Sequence, residues 1–423
     1  AGAILYYLEF TEHRETGHIT SLSRIDEDDY VWVDKFTIRN LELFSSNGAR
    51  EKCSFADVID RTLTPMGGRL LKRWIAMPIK DPAKINERLD VVERFTKEAD
   101  LADAVREQVA MVGDLERIAS RIAAQRVTPR ELVQLKNSLA AIETLKAALE
   151  STDDDRLHAL AAGIDPLAGV RERIAREIYP DPQNNQIQKG GVIADGVDPE
   201  LDDLRRIALH GKDYLSRIQQ RESEATGIPS LKISYNNVFG YYIEVSNSFK
   251  DLVPDTYIRK QTLVNGERYI TEELKNLEQE ILTAGDRDKA LEFEIFTALR
   301  ESVTAESVRI QRAAGLIAEL DTLCSLASVA VNNNYCRPSV DDSGVIEIHD
   351  GRHPVVERVL KDALFVPNDT YMGEREDRAA IITGPNMAGK STYMRQVALI
   401  TLMAQIGSFV PAKSARIGVV DRI

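Results

Sequence analysis

The stretch Leu231-Lys232-Ile233-Ser234-Tyr235-Asn236-Asn237-Val238-Phe239-Gly240-Tyr241-Tyr242-Ile243-Glu244-Val245 switches the chain from a helical period to a period of two. Residues 231–235 and 239–245 flank an Asn236-Asn237 turn signal and read as a β-hairpin. Residues 257–263 and 267–270 flank Asn265-Gly266 and read as a second hairpin. Upstream, from Glu200 to about Glu224, Leu201, Leu204, Ala208, Leu215 and Ile218 keep the 3–4 spacing of a helix seam. Downstream, Thr271 is a candidate N-cap followed by Glu272 and Glu273. Helical spacing then resumes at Leu274, Leu277, Ile281, Leu291 and Ile295, running to about Val331 with Gly285 and Gly315 as interruptions. A β insert bracketed by two long helices requires the helices to run out and back and to hold the strands at their tip. A continuous return helix of about 60 residues would span roughly 90 Å at about 1.5 Å per residue. The alternative is a plain helical bundle with a surface hairpin; the lengths favour a projecting arm.

The first half also reads as helical. Ser54 with Asp57 three residues on has the form of a capping box, and the following helical segments are punctuated by Pro65, Pro78 and Pro82. Thr128-Pro129-Arg130-Glu131 opens a helix expected to reach about Glu150. Residues 179–199, rich in Gly, Pro, Asn and Asp, read as a long turn region. Tyr30-Val31-Trp32-Val33, Val345-Ile346-Glu347-Ile348 and Ile417-Gly418-Val419-Val420 have strand character.

Near the end stands Gly384-Pro385-Asn386-Met387-Ala388-Gly389-Lys390-Ser391, which fits the phosphate-binding pattern G-x-x-x-x-G-K-[ST]. Ala379-Ala380-Ile381-Ile382 before it reads as a buried strand, and Ser391 to Gln405 after it as a helix. Strand, glycine loop and helix N-terminus together aim backbone N–H groups and a helix dipole at an anion. Lys390 would reach the β/γ-phosphates of ATP, and Ser391 would offer its hydroxyl to Mg²⁺.

With 423 residues the chain is expected to hold two to four domains. A composition of 43% hydrophobic and 29% charged residues describes a folded protein. The net charge of −13 argues against a general affinity for nucleic acid, so any DNA contact has to be local. Cys53, Cys324 and Cys336 are far apart and show no CxxC spacing, which suits a reducing, cytoplasmic setting and argues against a zinc site. No uninterrupted apolar run approaches 18 residues, so no membrane partner is expected. Ala1-Gly2-Ala3-Ile4-Leu5 lacks an initiator Met and a basic leader, and reads as a cut within a larger protein.

Five further stretches stand in order: Thr64-Pro65-Met66-Gly67-Gly68-Arg69-Leu70-Leu71-Lys72-Arg73-Trp74, Phe239-Gly240-Tyr241-Tyr242-Ile243, Glu267-Arg268-Tyr269-Ile270, Gly351-Arg352-His353-Pro354-Val355-Val356-Glu357 and Thr383 to Thr392. Taken together they resemble the bacterial MutS family of DNA mismatch-recognition ATPases, over essentially the whole chain. The resemblance implies a mainly α fold: a helical core with long lever helices, an inserted antiparallel β clamp and the start of a P-loop, ABC-type α/β ATPase domain. It implies residues 1–27 as the end of a connector, 28–228 and 272–335 as core and lever, 229–271 as clamp and 336–423 as the beginning of the ATPase. It further implies mismatched double-stranded DNA as ligand, a homodimer in the parent protein, a MutL-type repair partner, and action in the bacterial cytoplasm at the nucleoid.

Residue by residue, the resemblance carries nucleotide binding to Gly384, Pro385, Asn386, Met387, Ala388, Gly389, Lys390, Ser391 and Thr392, and adenine stacking to Phe365 beside Val366. Ala388 stands where many relatives have glycine. Around the second hairpin Arg259, Lys260 and Arg268 oppose the single carboxylate of Glu267; with Lys232 they are expected to meet DNA phosphates without reading bases. His353 belongs to a family motif for which no chemical role is assigned, and a structural role is favoured. Phe10-Thr11-Glu12 has the Phe-x-Glu form of the family's mismatch reader but falls in the connector tail. Val419-Val420-Asp421 lacks the paired Asp-Glu needed to hold metal and polarise water. No complete catalytic set is therefore expected, and the piece alone is expected to be inactive as the DNA-linked ATPase of its parent. Two rivals remain: a coiled-coil structural ATPase, which places its phosphate loop before its arms, and a MutS relative acting in recombination.

Overall fold

The 27-residue helix Ser307–Asn333 is the element around which the first of two units is packed. The computed structural model describes residues 2–11, 26–46, 53–236, 238, 240–360, 364–373, 375, 377–385 and 388–423. One unit comprises residues 1–127, 134–171 and 303–423, the other residues 128–133 and 172–302.

In the first unit the helices Pro65–Ala76, Pro82–Lys97, Ala99–Ala110, Leu115–Ala123 and Asp155–Gly163 all pack against Ser307–Asn333. That helix is long and apolar enough to cross a membrane by length and composition alone. However, 72% of its most apolar window is buried within the protein, so its apolar faces are consumed by core packing. Its polar residues are as informative. Asp321, 1% exposed, accepts from the backbone N–H of Leu63 (2.9 Å) and Thr64 (2.8 Å) and from the Thr64 hydroxyl (2.7 Å). Thr64 in turn N-caps Pro65–Ala76 by accepting from Gly67 N–H at 3.0 Å, with Pro65 at the first helical position. A Cβ on Gly67 would lie 2.3 Å from Asp321 Oδ2, so only glycine fits there. Ser54 and Asp57 form the expected capping box at Phe55–Ile59.

The second unit contains the hairpins: β1 (Lys232–Asn236), β2 (Gly240–Ser246), β3 (Ile258–Thr262) and β4 (Gly266–Ile270), in the order β1-β2-β4-β3, all antiparallel. One face of the sheet supplies Ile243, Val245 and Tyr269 to a core shared with Ile218 of helix Pro199–Thr226 and Leu274 of helix Glu272–Ala305. Thr271 caps the latter as expected, accepting from Leu274 N–H at 3.2 Å. Glu292, fully buried on the same helix, accepts from Gly191, Val192 and Ile193 N–H at 2.8–3.1 Å and pairs with Arg205 at 2.8 Å. It thereby fastens the turn region around residue 190 to both long helices.

The mixed sheet of the first unit contains β5 (Ser339–Asp341), β6 (Ile346–Gly351), β7 (Asn368–Met372) and β8 (Ser414–Gly418), in the order β5-β8-β6-β7 with only β5 and β8 parallel.

Three expectations are corrected. The return helix is two helices, Glu272–Ala305 and Ser307–Asn333, interrupted at Glu306, where the backbone closes a tighter turn onto Val303 O at 3.1 Å. Gly285 and Gly315 instead lie inside these helices, because a helical glycine costs only about 1 kcal/mol. Tyr30 and Trp32 make isolated bridges to Ile79 and Arg422 rather than a strand. The last strand is Ser414–Gly418, ending before Val419-Val420.

Replacing Asp321 by Ala removes the acceptor of the buried Thr64 N–H and hydroxyl and of the part-buried Leu63 N–H, so Asp321→Ala is expected to lower stability in urea unfolding by about 3 kcal/mol. Asp321→Asn, which keeps an acceptor, is expected to lose less; an alanine variant within 1 kcal/mol of the parent chain would contradict this role.

Candidate nucleotide and nucleic-acid sites

The helix Lys390–Gln405 begins at Gly389, which takes the left-handed conformation (φ +85°) and offers no side-chain cap. Gly384 also has positive φ (+149°), and these two glycines let the backbone turn where a Cβ would be strained. Among the described residues no side chain caps the N–H groups of the first helical turn, which have the helix dipole behind them. The Lys390 ammonium donates to Gly384 O, lying back across its own loop. Ala388 N–H reaches Pro385 O at 3.4 Å; Ser391 is exposed and Thr392 half-buried. Asn386 and Met387 lie outside the described residues.

The opposite end of this helix is anchored. Gln405, fully buried, donates to Ile79 O (3.1 Å) and Val420 O (3.0 Å) and accepts from Val420 N–H (3.1 Å). Arg88 donates to Ile406 O at 3.2 Å and stacks on Trp74 at 3.5 Å; burial pushes its guanidinium down to about 10.

The run Ala379-Ala380-Ile381-Ile382 is not the expected buried strand. It pairs with no strand among the described residues, and Ile381 is 92% exposed. A strand is defined by its neighbour's hydrogen bonds, and apolarity alone cannot supply one. Phe365 is half-buried and Val366 77% exposed, in the irregular run that leads into β7. Val366 O accepts from Asn368 Nδ2 at 3.1 Å.

His353 has a structural task. Its Nδ1 accepts from Val355 and Val356 N–H, both at 3.3 Å, capping the helix Pro354–Val359. Burial, with the nearby charge of Arg395, pushes its imidazole down to about 4, so it is neutral at pH 7. Sequence reasoning missed this because histidine is not a preferred N-cap residue.

The candidate DNA cations do not form one patch. Register places Arg259 across from Tyr269 on the core face of the sheet, whereas Arg268 pairs with Gln261 and Glu244 on the opposite face, as does Lys232. Arg268 is held on its face by Glu244 at 3.2 Å, by Gln261 at 2.9 Å and by stacking over Tyr242 at 4.4 Å. Arg259 is exposed and reaches Glu267 at 3.5 Å. Lys260 falls at the bulge between Arg259 and Gln261, exposed, beside a recess of about 460 Å³ shared with Tyr241, Lys275 and Glu278. Neither Lys232 nor Lys260 has an ion-pair partner among the described residues.

The loop's uncapped donors, positive-φ glycines and terminal lysine fit a polyphosphate. A divalent cation would find the Ser391 hydroxyl, but no cluster of three or more His, Cys, Asp or Glu suited to a metal occurs among the described residues.

Family models for MutS domain III and MutS domain V match residues 36–327 and 380–423. The DNA mismatch repair protein MutS of Phocaeicola vulgatus is 55% identical over 424 residues, covering 100% of this chain and 48% of the relative. Those of Bacteroides thetaiotaomicron and Cytophaga hutchinsonii are 54% and 50% identical, again over 100% of this chain and 49% of each relative. The chain therefore spans about half the length of the curated relatives it matches.

An unfolded histidine protonates near 6.5, so between pH 6.5 and 4 the unfolded chain binds a proton that the fold refuses. The contribution of His353 is complete above pH 6.5 and drains away as pH falls toward 4. Between pH 7 and 4.5 the parent chain is expected to lose about 2 kcal/mol more than His353→Asn, whose side chain can cap without charging. Equal losses in urea melts would refute this.

Proposed function

This chain belongs to the MutS family, and from that premise we propose that it forms the lever, clamp and opening ATPase segment of a protein that grips duplex DNA and initiates mismatch repair. The observation that carries the reading is the uncapped N-terminus of helix Lys390–Gln405 behind a glycine loop, in a chain whose relatives are named as mismatch repair proteins. The domain map follows the family: 1–27 connector, 28–228 and 272–335 core and lever, 229–271 clamp, and 336–423 ATPase.

In this reading residues Gly384 to Thr392 hold the phosphates of ATP, the Lys390 ammonium exchanging Gly384 O for a phosphate oxygen, and Ser391 orients Mg²⁺. Phe365, with Val366, offers the base an apolar face. Bound ATP supplies the free energy that resets the grip on DNA. These side chains bind and orient; in-line attack of water also needs an acidic motif and a charge-stabilising group that Gly384–Thr392 do not supply, so the chain alone is proposed to turn over ATP negligibly. Lys232 and Lys260, without ion pairs among the described residues, are the leading phosphate contacts, followed by Arg259; Arg268 serves chiefly to hold the sheet together. The assembled protein is proposed to act on mismatched DNA as a cytoplasmic homodimer that recruits a MutL-type partner.

Two measurements test this reading. Lys390→Ala is expected to weaken equilibrium binding of ATP at least tenfold, through loss of a charge-assisted contact; unchanged affinity would remove the loop from the nucleotide site. In filter binding of a duplex against salt, Lys260→Ala is expected to reduce the slope of log K on log salt by about one, with Arg268→Ala changing it little. The reverse ranking would overturn the assignment.

A further inference from the structure

The phosphate loop and the Phe365 segment belong to different elements, and one side chain links them. Tyr393 lies three residues beyond Lys390, on the first turn of helix Lys390–Gln405, its N–H bonded to Gly389 O at 2.9 Å. Its hydroxyl lies 2.9 Å from the buried Thr370 hydroxyl and donates toward Asp369 O at 3.3 Å, both on β7. β7 begins at Asn368, three residues after Phe365, so the strand carries the Phe365–Pro367 run at its entrance.

One turn further along, the same helix packs against β6, the neighbour of β7 in the sheet. Gln396 is fully buried, and a Cβ on Gly351 would lie 2.8 Å from its Nε2 and 3.1 Å from Asn368 O. Gly351, the register partner of Asn368, leaves room for Gln396 against the end of β6, where a Cβ would collide with it. The Gln396 amide has no partner among the described residues; its contribution at this point is bulk, leaving Tyr393 as the polar link.

We propose that Tyr393 is a positioning residue that sets the distance between the phosphate cradle and the base-stacking segment, so that ATP meets both at once. The proposal rests on the reading of residues 384–392 as a phosphate site and Phe365 as the base platform. A ligand with two ends binds tightly only if the two subsites are already spaced for it; otherwise binding must order one against the other. A ligand with phosphates alone needs no such spacing. Inorganic tripolyphosphate therefore separates the two cases.

The test is equilibrium binding of ATP and of inorganic tripolyphosphate, each with Mg²⁺, to the full chain and to Tyr393→Phe, Thr370→Val and the double variant. Tyr393→Phe removes only a hydroxyl, and Thr370→Val preserves shape, so both should fold, as thermal melts would report. The expected result is about fivefold weaker ATP binding in Tyr393→Phe, unchanged tripolyphosphate binding, and a double variant no weaker than the worse single one. Equal weakening of both ligands, no weakening of either, or additive losses in the double variant would overturn the positioning role. A parent chain that binds neither ligand would refute the phosphate-loop reading itself and the inference with it. One that binds both equally tightly would leave the loop intact and refute the base platform on which the inference depends.

Discussion

A run of backbone between two helices, residues 59–67, is satisfied by three side chains of one other helix. Asp321 takes the N–H groups of Leu63 and Thr64, Ser325 accepts from Arg61 N–H at 2.7 Å and donates to Ile59 O at 3.1 Å, and the Thr322 hydroxyl approaches Gly67 O at 3.2 Å. All three are buried on Ser307–Asn333, the helix against which the Pro65–Ala76, Pro82–Lys97 and Leu115–Ala123 helices pack. Buried backbone polar groups have to find partners, and here the solution fixes the register of the Pro65 helix against the central one. Burial pushes the Asp321 carboxyl above its ordinary range, so the hydrogen bonds hold a charge that its surroundings oppose. The constraint extends to Gly67, where no side chain can enter.

The same economy governs the candidate nucleotide site. One end of helix Lys390–Gln405 is locked by Gln405 and by Arg88 at Ile406, while the other presents donors that no side chain uses. A loop that must accept an anion gains from a scaffold that cannot shift, because geometry then need not be established at binding. The contacts of Tyr393 and Gln396 lie on the first two turns, toward the open end.

In the second unit, charge is allocated by strand register. On a chain of net charge −13, several cations are neutralised locally, as Arg268 is by Glu244 and Arg221 by Glu273. Lys232 at a strand end and Lys260 at a bulge, the cations proposed to meet phosphate, have no ion-pair partner among the described residues. In the proposed function such lysines supply local grip, while the acidic chain as a whole lacks general affinity for polyanions.

Periodicity, caps and turn signals in the sequence determined by themselves the two hairpins between long helices, the capping box at Ser54, the start at Pro129, the Thr271 cap and the helix after the glycine loop. Each depends on residues within a few positions of one another, so local physics suffices. The sequence motifs also specified the family. Only the tertiary structure decided that the return helix breaks at Glu306 and that Ile381 stands exposed rather than paired. Register, likewise, placed Arg259 and Arg268 on opposite faces, and packing made His353 a cap. These outcomes depend on partners distant in sequence: a strand needs a neighbour, a face needs a register, and a pKa needs its surroundings. The glycine-loop motif was local and legible, whereas the bonding of Tyr393 to Thr370 and Asp369 joins residues that only folding brings together.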